Sequence, residues 1–259
     1  MHYIIFDLEY NQVCPPKTEE IKEKALKCPF EIIQIGAVKV DSSFETISTF
    51  NRMVKPTIYH TMNPFVSRLT RITMEQLEKE QLFTEVVSDF IDFIGTEDAI
   101  LCVWGMSDMK ELFRNLHFHE MDTLQVPKSY INLQPYASLF LDLPKGINLS
   151  LRNSIDFLNI PFIQPIHDAF NDAYYTTEIF KKIYSQTMQS ELYNLNFNQP
   201  NHTSRPKKKR TDIKSLIQQF EKMYDREFTL EEQAIIKLAY VMGKTCQFEV
   251  EVGQEKLNT

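Results

Sequence analysis

Residues 6–11 read FDLEYN and continue the apolar run Tyr3-Ile4-Ile5-Phe6, so the chain opens on a buried strand whose end carries two acidic residues. Side chains two apart on a strand share a face. Asp7 and Glu9 therefore project side by side, and two neighbouring carboxylates repel unless a cation or a proton lies between them. A D-x-E pair alone is more often a solvated strand edge. It gains meaning only if further carboxylates elsewhere in the chain have a reason to converge on it.

The chain as a whole sets the limits. Its 259 residues, 43% of them hydrophobic, suffice for one large domain, or one domain with an appendage. No apolar run approaches the roughly 18 residues of a membrane span. The start MHYIIFDLEY lacks the basic segment and cleavage site of a secretion signal. A cytoplasmic protein without a membrane segment is expected. The four cysteines, Cys14, Cys28, Cys102 and Cys246, show no C-x-x-C spacing, and reduced thiols follow. The formal net charge of −7 argues against a general electrostatic grip on nucleic acid. The acidic excess belongs to residues 1–203, which hold 17 Lys+Arg against 26 Asp+Glu; residues 204–259 hold 11 against 9. An acidic body still acts on a phosphodiester when divalent cations sit between its carboxylates and the substrate.

Periodicity predicts strands at residues 3–9, in EIIQIGAVKVD (31–41), in ETISTFNRMV (45–54), in AILCVWG (99–105) and near SYINL (129–133). The stretch between the first two, with Pro15, Pro16 and KTEEIKEKALK, reads as an exposed insertion. Helical patterns follow the hairpin strands, with a capping box at Thr73 and Gln76 and a cap at Ser107. They close the domain in NLSLRNSIDFLN and HDAFNDAYYTTEIFKKIYSQTM. The result is an α/β arrangement with a mixed sheet, antiparallel where hairpins link strands and parallel where helices do. Composition divides the chain into a domain at 1–190, a polar and basic linker at 191–210 that includes RPKKKR, and a small helical extension at 211–259. Thr229 and Glu232 have capping-box spacing at the start of its second helix.

Two more carboxylates have positions worth noting. Asp108, in VWGMSDMKEL, follows a buried strand and falls in the first turn of a helix. Ligands of open α/β sheets gather at such strand ends, although an acidic residue there also simply complements the helix dipole. Asp172, in HDAFNDAYYTTEIF, flanks the apolar stripe Ala169, Ala173, Thr176 and Ile179. The small Ala169 and Ala173 allow this helix a close approach to the sheet, which would aim Asp172 at the strand bearing Asp7 and Glu9. His167 precedes Asp172 by five residues, off its helical face. It is placed on the entering loop, with Asp168 as N-cap.

Taken in order, Asp7-x-Glu9, Asp108 and His167-x-Ala169-x-x-Asp172-Ala173 resemble the DEDDh 3′ to 5′ exonucleases, a family with a ribonuclease H-like fold. The resemblance spans about residues 1–190. FDLEYN, EIIQIGAV, LTRIT and VWGMSD are most similar to its enhanced-RNAi-type branch of RNA 3′-end exonucleases. It implies a five-stranded mixed sheet flanked by helices. It also implies two divalent cations, Mg²⁺ or Mn²⁺, held by Asp7, Glu9, Asp108 and Asp172 with Asp7 shared, and His167 as the base that takes the proton of the attacking water. Leu69 and the backbone around Leu8 and Glu9 are implied contacts to the 3′-terminal nucleotide. Arg71 stands where family members carry glycine, within the same substrate-contacting motif.

The expected activity is removal of mononucleotides from single-stranded or overhanging RNA 3′ ends. The same chemistry on DNA ends is an alternative, as is a non-catalytic nucleic-acid-binding protein with the same fold. The C-terminal extension offers a docking element for protein or nucleic acid. His117 and His119 read as helix-end residues and Trp104 as packing.

Overall fold

The computed structural model describes residues 1–12, 18–95, 98–144, 146–195, 213–224 and 226–244. The basic run at 207–210, Cys14 and Cys246 lie outside the described residues. Cys28 and Cys102 are buried free thiols.

β1 (His2–Gln12) is followed by α1 (Glu19–Lys27), β2 (Phe30–Val40) and β3 (Thr46–Met53). Three helices come next: α2 (Pro64–Thr70), α3 (Met74–Leu77) and α4 (Phe83–Ile94). β4 (Ala99–Val103), α5 (Ser107–Phe118), β5 (Ser129–Asn132), α6 (Leu133–Phe140), α7 (Leu151–Phe157), α8 (Ala169–Ile183) and β6 (Glu191–Leu192) complete this unit. The sheet order is β3-β2-β1-β4-β5-β6. β1 runs antiparallel to β2 and parallel to β4, and so stands where the sheet changes character.

The sheet has six strands rather than the five expected. β6 is only two residues long, too short to show any alternation, and it joins the edge by pairing Ser129 with Leu192 and Tyr130 with Glu191. Tyr193 then donates its N–H to the Lys128 carbonyl at 2.8 Å and stacks on Phe113, with ring centroids 4.9 Å apart. The start of the expected linker at residue 191 is thus part of the sheet edge. The chain divides into two compact units, Met1–Gln199 and Pro200–Thr259. The second contains α9 (Ile213–Tyr224) and α10 (Leu230–Lys244), and Thr229 caps α10 through the Glu232 N–H at 3.3 Å. No helix among the described residues is long and apolar enough to cross a membrane.

Alternation along β1 divides the core. Ile4, Phe6 and Leu8 pack with Phe90 of α4 and Leu112 and Leu116 of α5, while Tyr3 and Ile5 pack with Phe180 of α8 on the other face. Trp104 is packed beside this second cluster. The insertion between β1 and β2 contains α1, capped by Thr18 and without a buried residue. Ser107 opens α5 as its first residue rather than capping it, since the N-cap is Met106 and no side chain accepts there. His117 lies in the last turn of α5 and His119 caps it.

α8 lies directly against the backbone of β2. A Cβ on Gly36 would lie 2.2 Å from the Ala169 carbonyl carbon and 2.2 Å from the Phe170 nitrogen. Gly36 is also the register partner of Asp7 on β1. Ala169 and Ala173 are fully buried at this contact. Gly36→Ala is expected to lower stability by at least the ~1–3 kcal/mol typical of overpacking, measured by thermal or urea melts, because the obstacle is backbone. A variant as stable as the parent would contradict this packing.

Candidate active site

The site is assembled from three elements and the loop before α8. β1 supplies Asp7 and Glu9 on the face turned to α8, and the residues between and beside them, Leu8 and Tyr10, point to the opposite face. The register of β1 against β2 shifts between Glu9 and Tyr10, a bulge of the kind that re-aims side chains at strand ends. Asp108 enters from the first turn of α5, just beyond β4. It is buried, accepts a hydrogen bond from the Tyr10 hydroxyl, and is reached by the Leu8 backbone N–H. Asp172 enters from the first turn of α8, which Asp168 caps through the N–H groups of Phe170 and Asn171.

His167 stands on the loop before α8 with a left-handed backbone, φ 67°. Its N–H donates to both Asp172 oxygens, at 3.3 and 3.2 Å. The sequence separated the two residues by helical face. The loop reunites them by turning the main chain back over the first turn.

Ligand-bearing atoms of Glu9, His167 and Asp172 all lie within 4.8 Å of one another. Asp7 and Asp108 stand outside that group but belong to the same electrostatic cluster. Asp7 is pushed well above the ordinary carboxylate range, first by desolvation and then by the charges of Asp108, Asp172, Glu9 and Asp168. Desolvation leads again at Glu9, pushed up to about 8 with help from Asp172, Asp108 and Asp168. Asp108 rises to about 7 by desolvation, opposed by its hydrogen bonds from Tyr10 and backbone N–H groups. Asp172 rises to about 7 by desolvation, opposed by the His167 N–H. Burial lowers His167, favouring the neutral imidazole that can accept a proton.

These donors suit a hard divalent cation. They are mainly carboxylate oxygens, and among the described residues none of the four carboxylates has a lysine or arginine in salt-bridge range.

The expected substrate contacts lie on β1 and at the end of α2. Asn11, fully buried near the end of β1, donates to the Thr61 carbonyl and accepts from the Asn63 N–H, both at 3.0 Å. This ties the start of α2 to the strand that carries Glu9. α2 is seated by Val66, which packs with Ile72 against Ile33 of β2. Leu69 is exposed on it. Arg71 caps α2 with φ 63°, the left-handed conformation that glycine usually supplies. The replacement therefore keeps the turn and adds an exposed guanidinium. Leu8 is 3% exposed, and its side chain packs in the core on the face opposite Asp7 and Glu9.

Two functional neighbours escaped the sequence reading. Alternation turns Tyr10 away from Asp7 and Glu9, and only the placement of α5 on that face brings it to Asp108. Gln34 lies in EIIQIGAV, where nothing in the local pattern signals the contacts it makes with α8.

This architecture is that of ribonuclease H-like exonucleases. Residues 4–180 match the exonuclease family of the RNase T type, and the chain belongs to that family. Among curated proteins it is 28% identical over 151 residues to the PolC-type DNA polymerase III of Thermotoga maritima, a match that covers 58% of this chain and 10% of the polymerase. The chain thus spans a small part of that relative. Among solved structures, the nuclease domain of 3′hExo, a DEDDh family member bound to rAMP, superposes with a TM-score of 0.61 at 21% identity, covering 74% of this chain and 96% of that one. E. coli exonuclease I in complex with an oligonucleotide gives 0.53 at 17% identity, covering 70% and 40%.

The raised carboxylates make a directional prediction. A carboxyl with a higher pKa folded than unfolded favours the folded state fully below its unfolded value and loses that contribution as pH rises through the folded one. Asp108, Asp172 and Glu9 place this loss between about 4 and about 8. The chelated protein should melt at falling temperature across that interval, and Mn²⁺ should flatten the fall. A chelated melting temperature that climbs from pH 5 to pH 8 would contradict the cluster.

Proposed function

We propose that this chain is a DEDDh-type 3′ to 5′ exonuclease that removes mononucleotides from single-stranded or overhanging RNA 3′ ends. The observation that carries the reading is the convergence of Asp7, Glu9, Asp108 and Asp172, from three separate elements, beside a neutral-leaning His167. Asp7, Glu9, Asp108 and Asp172 would hold Mg²⁺ or Mn²⁺, two ions in the proposed arrangement. Bound there, the cations supply positive charge to offset the cluster and the phosphate.

His167 takes a proton from the attacking water. The water oxygen joins phosphorus, and the bond to the 3′-oxygen of the preceding nucleotide breaks, that oxygen taking up a proton from solvent as a nucleoside 5′-monophosphate is released. The Asp172 carboxylate holds the His167 backbone, which fixes the imidazole at the cleft. Asp168 and the first turn of α8 support that loop. Leu69, Arg71 and the backbone at Leu8 are proposed to receive the terminal nucleotide.

RNA is favoured over DNA by the likeness of FDLEYN, EIIQIGAV, LTRIT and VWGMSD to the enhanced-RNAi-type branch. The rAMP-bound nuclease domain also superposes better than exonuclease I. DNA ends are the second reading, favoured by the polymerase relative. The C-terminal unit, with its adjoining basic run, is proposed as an accessory docking element.

Matched 5′-labelled RNA and DNA oligonucleotides, incubated with Mn²⁺, should shorten stepwise from the 3′ end, RNA faster, while circular RNA survives. Cleavage of the circle would overturn the exonuclease reading. Asp7→Ala and Asp172→Ala should abolish the reaction. His167→Ala should slow it by about 10²–10⁴-fold with Mn²⁺ affinity retained, and a fully active Asp7→Ala would sink the assignment.

A further inference from the structure

Gln34 sits on β2 two residues before Gly36 and is 1% exposed. Its amide is committed in three directions. The Nε2 group donates to Asn51 Oδ1 on β3 at 3.0 Å and to Asp168 Oδ2 at 3.0 Å, and Oε1 accepts the Ala169 N–H at 3.2 Å. Both amide protons and the carbonyl are used. Asp168 in turn uses its other oxygen on the N–H groups of Phe170 and Asn171, at 3.1 and 3.0 Å. Asp168 and Ala169 directly follow His167, whose left-handed backbone is held on its own side by Asp172.

We infer that Gln34 is a positioning residue for the general base: a clamp on the sheet that fixes Asp168 and Ala169 and thereby sets where His167 stands. The inference rests on the reading of His167 as the base. Filling space alone would not require an amide in this place, since an apolar side chain of similar size would pack as well. The particular requirement is one donor facing the Asp168 carboxylate and one acceptor facing the Ala169 N–H. A buried polar group left facing the wrong partner is costly, so the clamp has only one productive arrangement.

That requirement can be inverted. Gln34→Glu sets carboxylate against carboxylate. Asp168→Asn retains an oxygen for the cap but sets amide against amide. In the double variant the amide introduced at position 168 donates to one oxygen of the carboxylate introduced at position 34, and the Ala169 N–H still donates to the other. Asn51 turns its own amide to donate as well, and the net charge is unchanged.

Each single variant should lower kcat by about tenfold or more, the scale of a lost hydrogen bond to a charged group, with KM and Mn²⁺ affinity little changed. Amide exchange at Ala169, Phe170 and Asn171 should speed up in parallel. The double variant should recover both the rate and the amide protection. An active parent whose double variant stays at the level of the singles overturns the clamp, as do single variants with the parental kcat. A parent that releases no nucleotide overturns the exonuclease reading and the positioning role with it.

Discussion

The site depends on how closely α8 can lie against β2. With glycine at position 36 the peptide between Ala169 and Phe170 rests where any Cβ would stand, and the fully buried Ala169 and Ala173 keep the helix there. Because Gly36 is paired with Asp7, the helix arrives with its first turn opposite the acidic end of β1. Asp172 is thereby carried into range of Glu9, and the loop before the helix brings His167 with it. Glycine's missing side chain and the fixed strand register together decide where the cleft's charges meet.

The same compression has an electrostatic cost. Four carboxylates are desolvated and placed within each other's fields, with no lysine or arginine among the described residues paired to them, and all four are driven toward their protonated forms. Hydrogen bonds oppose the drive at two of them. Tyr10 and backbone N–H groups favour the charged form of Asp108, and the His167 N–H favours that of Asp172. A site arranged in this way gains most from divalent cations at a pH where its carboxyls have lost their protons and repel one another. That fits the proposed hydrolysis, in which His167 must be neutral when the water loses its proton.

Much of this was legible in sequence because the relevant signals are local. Strand periodicity puts Asp7 and Glu9 on one face. The end of an apolar run places Asp108, and the helix cap separates Asp168 from His167 and Asp172. The small residues at 169 and 173 announce a close helix. What local signals could not carry was distance across the chain. Gln34 meets Asp168 only because β2 and α8 pack, and Tyr10 meets Asp108 only because α5 lies on the opposite face of β1. β6 is two residues that pair only because β5 offers an edge. The left-handed turn at residue 71 was masked because arginine occupies a conformation that glycine would have advertised.

Diffraction at the manganese absorption edge, from crystals grown with Mn²⁺ and a nucleoside 5′-monophosphate, tests the central claim most directly. Anomalous peaks are predicted in the cleft, liganded by Asp7, Glu9 and Asp172, with Asp108 on the same cluster and the nucleotide phosphate alongside. Peaks confined to other surfaces, or an empty cleft at a Mn²⁺ concentration that supports hydrolysis, would contradict it.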